Sequence, residues 1–172
     1  DETKQLSENA NSAEISTLRG SASLALGKVK EAKDLFEQAL KEKPDFPDAL
    51  IGLAKYSLSE RDIESAMRFA EQAVTQNPEN AQAWLFKGDL LRIQGKTDTA
   101  LAAYDQVVKL KPNDSPAFLN KAFIDIGTGK FEAAKVDIEA ARNVAPSSRM
   151  PFYGQARLVF NRRQPAPAVG PP

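Results

Sequence analysis

Residues 81–114 read AQAWLFKGDLLRIQGKTDTALAAYDQVVKLKPND, and the proline in the closing Lys111-Pro112-Asn113-Asp114 sets the rhythm of the whole chain. Pro112 lies thirty-four residues after Pro78 and thirty-four before Pro146, and Pro44 stands one such step further upstream. The residues between these prolines recur in the same register. A fixed period of this size marks an array of units, each too small to bury its own apolar face and so stacked on its neighbours.

Working outward from that stretch, the chain divides into units at residues 13–46, 47–80, 81–114 and 115–148. Position eight of each unit is Gly20, Ala54, Gly88 and Ala122 in turn. Position twenty is Ala32, Ala66, Ala100 and Ala134, and position twenty-seven is Ala39, Ala73, Val107 and Ala141. Small residues at fixed points of two helices let the backbones approach closely. Leu50, Trp84 and Phe118 at position four, with Phe36, Tyr104 and Ile138 at position twenty-four, fill the space beside them. The proline at position thirty-two ends the second helix, because it lacks an amide donor and pushes the preceding residue out of the α region. First helices are expected over residues 14–26, 48–60, 82–94 and 116–128, and second helices over 30–42, 64–76, 98–110 and 132–144. Between them lie the turns Gly27-Lys28, Arg61-Asp62, Gly95-Lys96 and Gly129-Lys130, where glycine suits a left-handed helix end.

This pattern resembles the tetratricopeptide repeat (TPR), with a small residue at eight, alanine at twenty and twenty-seven, an aromatic at twenty-four and proline at thirty-two. The resemblance implies an all-α fold, a right-handed α-α superhelical solenoid of TPR helix-turn-helix repeats. Two positions depart from the family pattern. The large residue usual at eleven is Ser23, Ser57, Leu91 and Asp125, and the apolar residue usual at seven is Arg19, Leu53, Lys87 and Lys121. Residues 1–12 read as the remnant of a preceding helix or as disordered, with Ala10 in the proline slot and a connector at residues 8–12. Residues 149–163 match the first helix of a partial fifth repeat, or a capping helix, expected to pack on residues 131–145. Residues 164–172 read as a disordered Pro-rich tail. The chain is expected to be a piece of a longer array; the alternative is a complete small protein with a solvating last helix.

Composition narrows the chemistry. Lysine plus arginine and aspartate plus glutamate both number 23, so no global field draws the chain to nucleic acid or an acidic membrane. No apolar run reaches the ~18 residues of a membrane helix, so no membrane insertion by these residues is expected. The chain has neither histidine nor cysteine. That removes the commonest general base near neutral pH, the thiolate nucleophile, the disulfide and the imidazole or thiolate metal ligand. Serines such as Ser57 and Ser65 read as helix surface or turn. The Gly-Lys pairs at Gly27, Gly95 and Gly129 lack the rest of a phosphate-binding loop. We expect no enzyme, no metal and no cofactor.

Function must then come from surfaces. The family resemblance implies that first helices line a concave groove, with positions two, five, nine, twelve and thirteen pointing into it. Position five is Thr17, Ile51, Leu85 and Leu119; nine is Ser21, Lys55, Asp89 and Phe123; twelve is Leu24, Leu58, Arg92 and Ile126. Tyr153, Arg157 and Phe160 extend the rows. The expected partner-binding groove is therefore Ile51, Lys55, Leu58, Leu85, Asp89, Arg92, Leu119, Phe123 and Ile126. It is mostly apolar around a charged island of Lys55, Asp89 and Arg92. A contiguous exposed apolar patch marks a binding surface, here for an apolar or amphipathic protein or peptide segment. The alternative is that these residues pack against adjacent repeats or lie under the chain's own tail. Some TPR proteins clamp a terminal carboxylate with lysines, an arginine and asparagines. Those positions here hold Thr17, Ser21, Gly52, Gln82 and Phe86, so a chaperone tail is not the expected partner.

The Lys-Pro, Asn-Pro and Ala-Pro connectors and the segment Trp84…Lys87-Gly88-Asp89-Leu90-Leu91 are similar to bacterial TPR lipoproteins of the PEP-CTERM/exopolysaccharide export system. So are Ser12-Ala13-Glu14…Thr17-Leu18-Arg19-Gly20 and Leu24-Ala25-Leu26-Gly27-Lys28. That resemblance implies a scaffold for surface-polymer export or protein sorting, periplasmic or outer-membrane-associated; otherwise the cytoplasm is the expected compartment. A structural spacer within a longer array, or self-association through repeat ends, is the competing reading.

Overall fold

The computed structural model describes the backbone of residues 2–163 and the side chains of residues 12–163. Among them are nine helices: α1 Glu2–Ala25, α2 Val29–Glu42, α3 Pro47–Ser59, α4 Ile63–Gln76, α5 Ala81–Ile93, α6 Thr97–Leu110, α7 Ser115–Gly127, α8 Phe131–Val144 and α9 Met150–Arg162. No strand occurs among the described residues. The Pro-rich tail expected over residues 164–172 lies outside them. The helices fall into two compact units, residues 1–90 and 91–172. In the first, α1 packs on α2 and α3 on α4, while α3 also touches α1 and α2. In the second, α7 packs on α6 and α8, and α9 closes against α7 and α8, as expected for the segment after residue 149.

Helix ends sit where backbone chemistry puts them. α2, α4, α6 and α8 each stop two residues before a proline, and the intervening Lys43, Asn77, Lys111 and Ala145 are all extended in φ, between −134° and −141°. The first helices end in paired hydrogen bonds around one left-handed residue. At the end of α1 the Gly27 amide donates to Leu24 and the Lys28 amide to Ser23. The same pair recurs at Gly95-Lys96 and Gly129-Lys130. At the end of α3 a non-glycine residue, Arg61, takes the left-handed place at φ 63°. On the other side, Asp62, Asn80 and Asp114 accept the amides of Ser65, Ala83 and Ala117 at 2.9–3.0 Å, satisfying donors that the helix itself leaves open.

One boundary differs from the sequence reading. α1 is a single helix of 24 residues, continuous through the connector expected at residues 8–12. The physical reason is Ala10, which stands where the other units carry proline. Alanine keeps its amide and favours the helix more than any other residue, so nothing ends it.

The small residues at positions twenty and twenty-seven are all fully buried, from Ala32 and Ala39 through Ala134 and Ala141. Phe36 fills the tightest contact. Its ring lies between Gly20 and Gly52, such that a β-carbon on Gly20 would stand 2.8 Å from the ring and one on Gly52 would overlap it. The two unusual positions, seven and eleven, become a polar cluster in the second unit. Lys121 Nζ lies 2.7 Å from Asp105 of α6 and 3.9 Å from Asp137 of α8, with Asp125 buried one turn away. Burial pushes the Asp137 carboxyl up to about 6 against the pull of Lys121, and it also raises Asp125. Burial works against the Lys121 ammonium, but its hydrogen bond to Asp105 and the surrounding carboxylates outweigh that effect and hold its pKa above the ordinary value.

Candidate functional site

Each unit carries a cleft built largely from its first helices. In the first unit the cleft holds about 440 Å³. Its walls are Glu14, Thr17, Leu18 and Ser21 of α1, Phe46 before α3, Asp48, Ile51, Gly52 and Lys55 of α3, and Gln82 of α5. In the second unit a cleft of about 470 Å³ lies among Arg92, Thr97, Asn120, Phe123, Ile124, Gly127, Thr128 and Arg157. Phe123 organises this second site. Its ring meets Tyr153 edge to face at 6.1 Å, and the Arg157 guanidinium stands 5.2 Å from its centroid. A guanidinium at this distance from an aromatic face is attracted by the ring's electron-rich surface.

The nine expected groove residues are distributed unevenly between these clefts and the core. Lys55 lines the first cleft and is exposed; Arg92 and Phe123 line the second. Ile51 reaches the first cleft, yet it is buried with Leu50, Ala73, Val74 and Ala83. Leu119 and Ile126 are buried, the latter in a cluster with Ala122, Ala134, Ile138 and Leu158. Leu58 packs against Ala66, Ala70 and Leu90, while Leu85 and Asp89 are half-buried on α5. Position five is buried at Thr17, Ile51 and Leu119 and half-buried at Leu85. Leu119, for example, would lie 3.6 Å from a β-carbon on Gly154 of α9. The accessible lining is consequently more polar than the sequence suggested. It includes Glu14, Asp48 and Gln82 from position two, and Thr97, Asn120 and Thr128, which no groove position in the sequence reading had singled out.

Among the described residues no group of three or more carboxylates, histidines or cysteines is placed to hold a metal ion. No described helix is long and apolar enough to cross a membrane.

Two family profiles, both described as tetratricopeptide repeat, match residues 23–90 and 81–114, and together they span more than half of the 172 residues. The chain belongs to the tetratricopeptide-repeat family. Solved structures agree on the fold. The pilF protein of Pseudomonas aeruginosa superposes with a TM-score of 0.83 at 21% identity, over 91% of this chain and 71% of that one. A thermophilic TPR protein of Thermus thermophilus gives 0.74 at 21% identity, over 88% and 83% of the two chains. YrrB, described as a TPR protein with an unusual peptide-binding site, gives 0.68 at 23% identity, over 80% and 71%. No curated protein matches the chain. TPR proteins bind protein or peptide partners, and as a family they are in general scaffolds rather than catalysts.

Proposed function

We propose that this chain is a non-catalytic scaffold whose TPR clefts hold an amphipathic peptide segment of a partner protein, the second unit supplying the principal contact. The observation that carries this reading is the convergence of Phe123, Tyr153, Arg157 and Arg92 beside Asn120 and Thr128. An aromatic pair offers a rigid apolar contact, and planar guanidiniums grip a carboxylate through paired hydrogen bonds. The fitting segment carries an apolar or aromatic side chain next to an acidic one. In the first unit, Lys55 with Glu14 and Asp48 at the cleft favours a segment of mixed charge. The precedent of a peptide-binding site in YrrB supports the class of ligand.

The burial of Ile51, Leu119 and Ile126 favours a second reading, a structural spacer within a longer TPR array. The resemblance in connectors and Trp84-containing segment supports placing the scaffold in bacterial exopolysaccharide export or protein sorting, and that placement rests on sequence texture alone. Selection from a displayed library of random peptides separates scaffold from spacer. Wild type is expected to enrich sequences pairing acidic with aromatic residues, and a Phe123→Ala, Arg157→Glu variant of unchanged helicity is expected to lose them. Equal enrichment on both proteins, or none on either, would remove the peptide-binding reading.

A further inference from the structure

The first-unit cleft carries its charges in an order. Glu14, Asp48 and Gln82 stand at position two of successive first helices, and Ser21 and Lys55 stand at position nine. Seven residues of helix rise about 10 Å, so two carboxylates mark one end of the cleft and an ammonium the other. Glu14, Asp48 and Lys55 are all exposed. None of the three makes an ion pair or a side-chain hydrogen bond among the described residues. Both ends are thus left to an external partner. No carboxylate lines the second-unit cleft, so the two clefts call for different segments.

Between the two ends the lining suits a main chain. On α3, Gly52 stands between Asp48 and Lys55 and contributes only backbone. A residue without a side chain lets another backbone come close. On the α1 wall, Thr17 lies one turn from Glu14 and one turn from Ser21. It is 5% exposed, and its hydroxyl is buried without a hydrogen-bond partner. A buried polar group of this kind costs stability unless something satisfies it. Helical threonine has two χ1 wells, and one such step exchanges its hydroxyl with its methyl group.

We propose that the first-unit cleft holds an extended partner segment in which a lysine or arginine lies three residues from an aspartate or glutamate. In the polyproline II form, side chains three residues apart share a face and stand about 9 Å from one another, close to the separation of the two ends. The basic side chain seats between Glu14 and Asp48 and relieves their mutual repulsion, and the acidic one meets Lys55. Main-chain groups in that form have no internal hydrogen bonds, so one of them supplies the partner that the Thr17 hydroxyl lacks. This assignment rests on the peptide-binding reading for its class of ligand, but it concerns a different cleft and a different sequence.

Amide chemical-shift titrations of the isotope-labelled 172-residue chain with short blocked peptides test this. The probe carries lysine and glutamate three residues apart in a serine–proline background. Its controls place the pair side by side, replace the lysine with glutamine, or replace the glutamate with glutamine. The probe is expected to move the amides of Thr17, Ser21, Gly52 and Lys55, and to bind about five-fold more tightly than each control at low salt. Glu14→Gln with Asp48→Asn should erase the preference for lysine and keep that for glutamate, and Lys55→Gln should do the reverse. Circular dichroism checks that each variant is folded; should the double variant lose helicity, Glu14→Gln alone serves in its place. Equal affinity for probe and controls, or preferences that neither variant alters, overturns the proposal. A parallel titration with an acidic–aromatic peptide separates the two readings. Shifts at Phe123 and Thr128 in that arm, with none in the first unit from the probe, remove this proposal alone. Silence in both arms removes the peptide-binding reading with it.

Discussion

Phe36 is held between two glycines of different helices, and this contact shows how a single residue type can be forced by its neighbours. Gly52 stands at a position where some family members carry a clamp residue, but here any β-carbon would strike a ring that is fully buried and already pressed on Gly20. Gly52→Ala is therefore expected to destabilise the first unit by about 1–3 kcal/mol, read as a lower midpoint in urea. The second residue with a definite energetic signature is Asp137. Its carboxyl titrates near 6 in the folded chain against an ordinary value of 3.8, because burial disfavours the charge more than Lys121 supports it. A raised carboxyl pKa means a contribution to stability that is fully present below pH 3.8 and lost as pH climbs through 6. Asp137→Asn should match wild type near pH 4 and become the more stable protein by pH 7, by about 1–3 kcal/mol. Thermal melts of both proteins across that range check it. Neither feature was legible in the sequence. Spacing placed Lys121 and Asp125 at the two irregular positions, but only the folded chain brings Asp105 and Asp137 from other helices to the same ammonium.

Helices and their ends were the most readable level, because local chemistry decides them. A proline two residues past α2, α4, α6 and α8, and a left-handed glycine after α1, α5 and α7, can be recognised without knowing any tertiary contact. The exception confirms the mechanism: where Ala10 replaced the proline, the helix ran on from Glu2. The turn after α3 makes the energetics testable. Arg61 adopts φ 63° where three sister turns use glycine, a conformation in which a β-carbon crowds the following carbonyl. Arg61→Gly is expected to raise stability by about 1 kcal/mol, the relief of that crowding partly offset by glycine's greater freedom in the unfolded chain. The measurement is the denaturation midpoint of variant and wild type. What helix patterning could not reveal is which side of a first helix remains open. Positions five, nine and twelve share a broad face by spacing, yet α9 takes Leu119 into packing while Phe123, four residues on, stays at the cleft.

At the level of the whole molecule, 23 basic and 23 acidic residues leave no global field, so recognition falls to local arrangements within each unit. The repeat itself was legible from the four prolines and the small residues between them, since they recur at one period. The partner was not, because a peptide cleft in this family is written in side chains that vary from repeat to repeat and are read only once packing has claimed the rest. The second-unit cleft joins residues from α5, α6, α7 and α9, separated by up to sixty-five positions between Arg92 and Arg157. Its polar members Thr97, Asn120 and Thr128 carry no signal of their own in a linear reading. The central claim is that this cleft receives a peptide. Amide chemical-shift mapping on the isotope-labelled full chain, titrated with an acidic–aromatic peptide from the wild-type selection, tests it most directly. The account predicts saturating shifts centred on Asn120, Phe123, Ile124, Thr128 and Arg157. Shifts confined to the outward residues of α6 and α8, with those amides unmoved, would contradict it.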